Sequence, residues 1–136
     1  LTVHATIPLS DNQLSASLTN IRPRHFLTKK IKTTVNYNLL ANDSPDDSAI
    51  EALRSFRTCL RFLMSDSKNN RVMISSASPG VGKSFVSVNL ATLLANSGQR
   101  VLIVDADMRR SYLHRTFGTK SENGLAEVLS GTISVR

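Results

Sequence analysis

Ala77-Ser78-Pro79-Gly80-Val81-Gly82-Lys83-Ser84 is a run whose residue types suit the capture of a phosphate chain. It fits the phosphate-loop pattern G-x-x-x-x-G-K-[ST] at every fixed position but the first, where Ala77 replaces glycine. Small residues let successive backbone N–H groups curl around an anion. The helix that follows turns its positive dipole end toward the same anion. Gly80 and Gly82 supply the permissive backbone, Lys83 can reach β- and γ-phosphates as a point charge, and the Ser84 hydroxyl can ligate Mg²⁺. The run Ser78, Pro79, Gly80, Val81, Gly82, Lys83, Ser84 and Phe85 is therefore the candidate nucleotide contact, and ATP and Mg²⁺ are the cofactors it implies. The competing reading is a tight strand-to-helix turn with an incidental lysine.

Asp105-Ala106-Asp107-Met108-Arg109 is the second run with chemical content. Residues i and i+2 leaving a strand project from one side, so both carboxylates can address one metal ion or its water shell. Alone, D-x-D also describes a solvated turn. At the carboxyl end of a strand beside a phosphate loop it lies where α/β sheets bind ligands. Lys83, Asp105 and Asp107 are thus the candidate catalytic residues, and Ser84, Asp105 and Asp107 the candidate metal ligands. Which carboxylate would act as base stays open.

These residues need elements to hold them. Val72-Met73-Ile74 reads as a short buried strand before the loop, and Val101-Leu102-Ile103-Val104 as a second one ending at Asp105. Between them, residues 85–96 carry Val88, Leu90, Ala91, Leu94 and Ala95 as an apolar helix, stopped by Gly98. Strand, crossover helix and strand make a βαβ unit, the signature of an α/β fold with a parallel sheet. Upstream, Ser48 can cap a helix, Glu51 completes a capping box, and Ile50, Leu53, Phe56, Leu60 and Leu63 recur at helical spacing. On that helix Glu51, Arg54 and Arg57 stand at i, i+3 and i+6 and form one charged stripe. Thr2 to Ile7 reads as a short strand stopped by Pro8, and Ser10 to Asp47 as a loop or linker. Residues 1–47 and 48–136 are the two expected regions. Cys59, Met73 and Met108 read as packing residues, and the scattered His4, His25 and His114 lack metal-ligand spacing.

Charge is unevenly placed. The 136 residues hold 17 Lys and Arg against 10 Asp and Glu, a formal net charge of +7. No acidic residue lies between Asp11 and Asp43, where Arg22, Arg24, Lys29, Lys30 and Lys32 all fall. That aperiodic stretch reads as a solvated tail, a segment against anionic lipid, or, with only Phe26 and Tyr37 interleaved, a weak nucleic-acid patch. One Cys excludes a disulfide framework. No apolar stretch approaches the roughly 18 residues of a membrane span, and no secretory signal opens the chain.

Taken together, the runs resemble the bacterial tyrosine kinases, P-loop proteins related to the MinD and ParA ATPases. The resemblance rests on the loop Ala77–Ser84 with its Pro79-Gly80 pair, on Leu102-Ile103-Val104-Asp105-Ala106-Asp107-Met108-Arg109 as Walker A′, and on Glu51, Arg54 and Arg57 as an E-x-x-R-x-x-R motif. Gly124-Leu125-Ala126-Glu127-Val128-Leu129-Ser130-Gly131 and Val3-His4-Ala5-Thr6-Ile7-Pro8 also look like segments of that family. The resemblance implies a three-layer MinD/ParA-type parallel sheet and an autophosphorylating, ATP-dependent tyrosine kinase of exopolysaccharide or capsule synthesis and export. It implies ring assembly through Glu51, Arg54 and Arg57, and a place on the cytoplasmic side of the inner membrane, with residues 22–32 against anionic lipid. No nucleic-acid partner is expected.

The family's Walker B motif and tyrosine-rich tail do not occur in these residues, so the sheet is expected to be incomplete, with exposed apolar faces. The alternatives are a MinD/ParA-type ATPase, against which the missing early loop lysine at Ala77-Ser78 argues, and a non-catalytic assembly remnant. Tyr112 reads either as an aromatic packed with Leu113 and Phe117 or as a phosphoacceptor near the nucleotide site.

Overall fold

The computed structural model describes residues 5–10, 12, 39–109, 111, 113–120 and 122–134. Along them lie α1 (Leu40–Asp43), α2 (Ser48–Leu63), α3 (Lys83–Asn96), α4 (Leu113–Thr116) and α5 (Leu125–Leu129). The core forms where α1 and α2 pack on α3. Leu40, Ala41, Ile50, Leu53, Leu90 and Leu93 are its buried residues, and Ile7, Phe56, Leu60, Ile74, Phe85, Val86 and Leu94 pack around them. Full burial of an aliphatic side chain such as Ile50 or Leu53 contributes about 1.5–3 kcal/mol.

α2 follows the amphipathic pattern, with a correction at its start. The cap is Asp47, whose carboxylate accepts the Ala49 N–H at 2.9 Å, so Ser48 is the first helical residue. Asp47 is the stronger acceptor because it is charged and already fixed by two upstream donors. Ser10 Oγ donates to its Oδ2 at 2.7 Å and Asn12 Nδ2 donates to the same oxygen at 3.0 Å. Burial pushes the Asp47 carboxyl up, but the hydrogen bonds from Ser10, Ala49 and Asn12 outweigh it and hold the group below its ordinary value. Glu51 does not close a capping box; it pairs with Arg54 at 2.9 Å. The apolar stripe fades toward the end of the helix, where Leu63 is exposed.

α3 is apolar around much of its circumference, as a helix at the centre of a domain must be. Val88, Asn89, Leu90, Ala91, Thr92 and Leu93 are all buried. Asn89, only 3% exposed, accepts the Ala41 N–H at 2.9 Å through Oδ1 and donates to the Phe85 carbonyl at 3.0 Å. The expected stop at Gly98 is a Schellman turn. Gly98 (φ +84°) donates to the Ala95 carbonyl and Gln99 to that of Leu94.

The two expected strands are the main departure. Among the described residues neither 72–74 nor 101–104 is assigned as strand, and no backbone hydrogen bond joins them. A ladder needs a partner at hydrogen-bonding distance, and a parallel strand needs cover on both faces. Here Met73 is 89% and Leu102 86% exposed, so neither run has that cover. Met73 and Met108, expected to pack, are both exposed for the same lack of cover. The strand expected over Thr2 to Ile7 falls partly outside the described residues, and residues 5–7 are not in a strand.

Residues upstream of 47 enter the core. Ile7 packs against it, Ser10 is 1% exposed, and α1 brings Leu40 and Ala41, although the sequence reads there as loop. A four-residue helix is too short to leave a periodic signature. The basic residues 22–32, His4, His25 and Tyr112 lie outside the described residues. No helix among the described residues is long and apolar enough to cross a membrane.

Candidate functional site

The phosphate loop opens α3. Gly80 (φ +78°) and Gly82 (φ +94°) both stand in the left-handed region that side chains disfavour, and Gly82 is the residue from which the helix starts. Nothing lies within 4 Å of where a Cβ would sit at either glycine, so the turn leaves open space beside its backbone. The helix is set by Val86 N–H donating to the Gly82 carbonyl at 2.9 Å. The first N–H groups of α3 have no intrahelical acceptor, which is the condition for anion binding.

Lys83 folds back over the loop. Its Nζ donates to Ser76 Oγ at 2.9 Å and to the Ser78 carbonyl at 3.4 Å. Ser84, half-buried in the first turn of α3, carries the hydroxyl assigned to the metal. A hydroxyl at that position is an oxygen donor of the kind Mg²⁺ prefers, so Ser84 would be the residue of this turn to hold such an ion. Among the described residues no three His, Cys, Asp or Glu side chains are gathered into a protein-only metal site.

Asp105 and Asp107 organise their own loop. Asp105 Oδ1 accepts the Asp107 N–H at 3.1 Å, and its Oδ2 accepts Ser111 Oγ–H at 2.9 Å and Leu113 N–H at 3.2 Å. Asp107 Oδ1 accepts the Arg109 N–H at 3.1 Å. None of these bonds joins the carboxylates to Lys83 or Ser84. Of the charged stripe, Glu51 and Arg54 form an exposed pair, while Arg57 donates to the Leu93 carbonyl at 3.0 Å. Ser76, Ser111 and Asn89 are contacts that sequence reading missed. Ser76 stands outside the loop pattern, and only Asn89 left a trace, as a polar residue amid an apolar helix.

A groove of about 590 Å³ lies elsewhere, lined by Arg57, Arg61, Arg100 and Leu102 among others. It shares no residue with the phosphate loop. A cradle of backbone N–H groups at a helix start needs no deep cavity, so the groove and the loop are separate features.

An open left-handed glycine turn, a lysine laid across it and a helix N-terminus define a nucleotide-binding P-loop segment. Residues 72–127 match the family model described as the CobQ/CobB/MinD/ParA nucleotide binding domain. Over nearly its whole length the chain is similar to bacterial tyrosine kinases. It is 47% identical over 135 residues to the tyrosine-protein kinase ptk of Acinetobacter johnsonii, covering 99% of this chain and 17% of that protein. Among solved structures, the kinase domain of the Escherichia coli tyrosine kinase ETK superposes with a TM-score of 0.80 at 43% identity, over 99% of this chain and 49% of that one. The BceF tyrosine kinase domain gives a TM-score of 0.80 at 38% identity, over 99% of this chain and 50% of that one. The chain thus spans about half of the solved kinase domains and under a fifth of the curated relative.

Proposed function

We propose that the intact protein is an ATP-dependent, autophosphorylating protein-tyrosine kinase serving exopolysaccharide or capsule synthesis and export. The observation that carries this reading is Lys83 laid across an open glycine turn at the start of α3, in a chain homologous throughout to tyrosine kinases. In the transfer, the acceptor phenol passes its proton to one of the Asp105 and Asp107 carboxylates as its oxygen bonds the γ-phosphorus. The bond to the β–γ bridging oxygen breaks, and ADP leaves. Such a reaction needs charge neutralisation and positioning more than covalent help. The backbone of Gly80 to Lys83 cradles the phosphates, Lys83 meets the β- and γ-oxygens, and Ser84 with Asp105 and Asp107 holds the metal and its water shell. The metal, when bound, neutralises charge on the phosphate oxygens. One of the two carboxylates orients the acceptor hydroxyl.

The same reading places Glu51, Arg54 and Arg57 at a ring interface between copies and residues 22–32 against anionic lipid at the inner membrane. Residues 1–47 then form a juxtamembrane segment and linker ahead of the kinase domain. Tyr112 is the acceptor candidate within the chain.

Incubating the intact protein with radiolabelled ATP tests the reading. The expected product is phosphotyrosine, lost in Lys83→Met. Free phosphate without phosphotyrosine would instead favour a MinD/ParA-type ATPase, the reading that the matched family model keeps in play. No turnover at all would leave an assembly role.

A further inference from the structure

Ser76 precedes the phosphate-loop pattern, and nothing in that pattern asks for a hydroxyl there. Lys83 Nζ nevertheless donates to Ser76 Oγ at 2.9 Å and to the Ser78 carbonyl at 3.4 Å, and Ser76 Oγ donates to that same carbonyl at 2.7 Å. The three groups close a triangle. With its proton committed to the carbonyl, the hydroxyl turns lone pairs to the ammonium. The ammonium has three N–H donors, and the triangle uses two, which leaves a donor for an incoming oxygen. The ion pairs among the described residues are Glu51–Arg54 and Lys120–Glu122, and neither takes Lys83.

We propose that Ser76 is a positioning residue for nucleotide binding: its hydroxyl holds the Lys83 ammonium across the loop before the β- and γ-phosphates of a nucleoside triphosphate arrive. The proposal rests on the reading of the loop as the nucleotide site. A lysine tethered in advance loses less side-chain freedom when the phosphate binds, and that preorganisation appears as affinity. Ser76 acts through Lys83 and has no effect without it.

The test measures Mg-ADP binding by calorimetry and autophosphorylation kinetics in the intact protein, for the wild type, Ser76→Ala, Ser76→Thr, Lys83→Met and the double variant Ser76→Ala/Lys83→Met. Ser76→Ala should weaken ADP binding and raise the KM for ATP roughly three- to tenfold, with the effect on KM larger than on kcat. Ser76→Thr, which keeps the hydroxyl, should restore most of the loss, and the double variant should bind no more weakly than Lys83→Met. Unchanged affinity in Ser76→Ala, failure of Ser76→Thr to rescue, or a further loss in the double variant would each overturn the role of Ser76. If Lys83→Met itself binds ADP as the wild type does, the loop is not the nucleotide site and the reading beneath the proposal falls instead.

Discussion

The Arg57 guanidinium donates to the backbone carbonyl of Leu93, 3.0 Å away, and this bond ties α2 to the last turn of α3. The last four carbonyls of a helix have no intrahelical donor, and a cation there also meets the negative end of the helix dipole. Arg57 therefore has a task inside the chain, whereas its neighbour Arg54 only pairs with the exposed Glu51. Arg57→Ala should cost about 1–2 kcal/mol in urea unfolding, as loss of a charge-assisted hydrogen bond does. Arg54→Ala should cost less than about 0.5 kcal/mol. If the stripe reaches a neighbouring subunit, Arg54→Glu should lower the mass seen by light scattering while leaving the unfolding midpoint nearly unchanged. Equal destabilisation by both alanine variants would contradict the division of labour between the two arginines.

Asn89 carries the contact between α1 and α3. Its carboxamide is the acceptor for the buried Ala41 N–H and a donor to Phe85, so Asn89→Ala strands a buried donor and opens a small cavity. The expected cost is about 1–3 kcal/mol. Hydrogen exchange at the Ala41 amide should accelerate more than exchange in the middle of α2. A uniform acceleration would mean that α1 does not open by itself.

What the sequence made legible follows from where the signal is local. Gly80, Gly82 and Lys83 have their geometry dictated within a few residues, so the loop was readable directly, although α3 starts at Lys83, two residues before the expected Phe85. So was the stop at Gly98, because a left-handed cap needs only one glycine in place. The α2 cap was misread by one residue because Asp47 owes its fixed position to Ser10 and Asn12, far upstream in the chain. The tether of Lys83 to Ser76 was invisible for a similar reason, since a serine beside a turn has no periodic signature. The strands were read from apolar runs, but a ladder also depends on partners that a single run cannot reveal.

Asp47 predicts a specific response to acid. Its carboxyl lies below the ordinary value of 3.8 in the folded chain, so the ionised form is the one that folding favours. The sign follows from linkage: its contribution is fully present above the ordinary value and is lost as pH falls through the lower folded-state value. Asp47→Ala should cost about 1 kcal/mol at neutral pH, as loss of a helix cap does. The gap between wild type and variant should narrow below pH 3.8. Unfolding curves taken across that range check it, and a gap that stays constant into strong acid would show that the charge on Asp47 contributes nothing.

Asp105 predicts a separation between building the loop and doing the chemistry. Its carboxylate takes N–H groups from Asp107 and Leu113 and the hydroxyl of Ser111, and Leu113 is the buried residue that opens α4. One carboxylate therefore fixes the return of the chain after residue 104 and supplies an acceptor to the first turn of the next helix. Asp105→Ala removes all three bonds at once. Exchange at the Leu113 amide should then rise about fivefold to tenfold, the equivalent of a lost cap near 1 kcal/mol. Phosphotyrosine formation should fall with it. Asp107→Ala removes the acceptor of the Arg109 N–H but leaves the bonds at Ser111 and Leu113 in place. It should lower phosphotyrosine formation while the Leu113 amide keeps its protection. Ser111→Ala, which spares both carboxylates, should change the transfer rate least of the three. If Asp105→Ala abolishes phosphotyrosine but leaves Leu113 exchange untouched, Asp105 acts on the nucleotide or its metal and not through the loop.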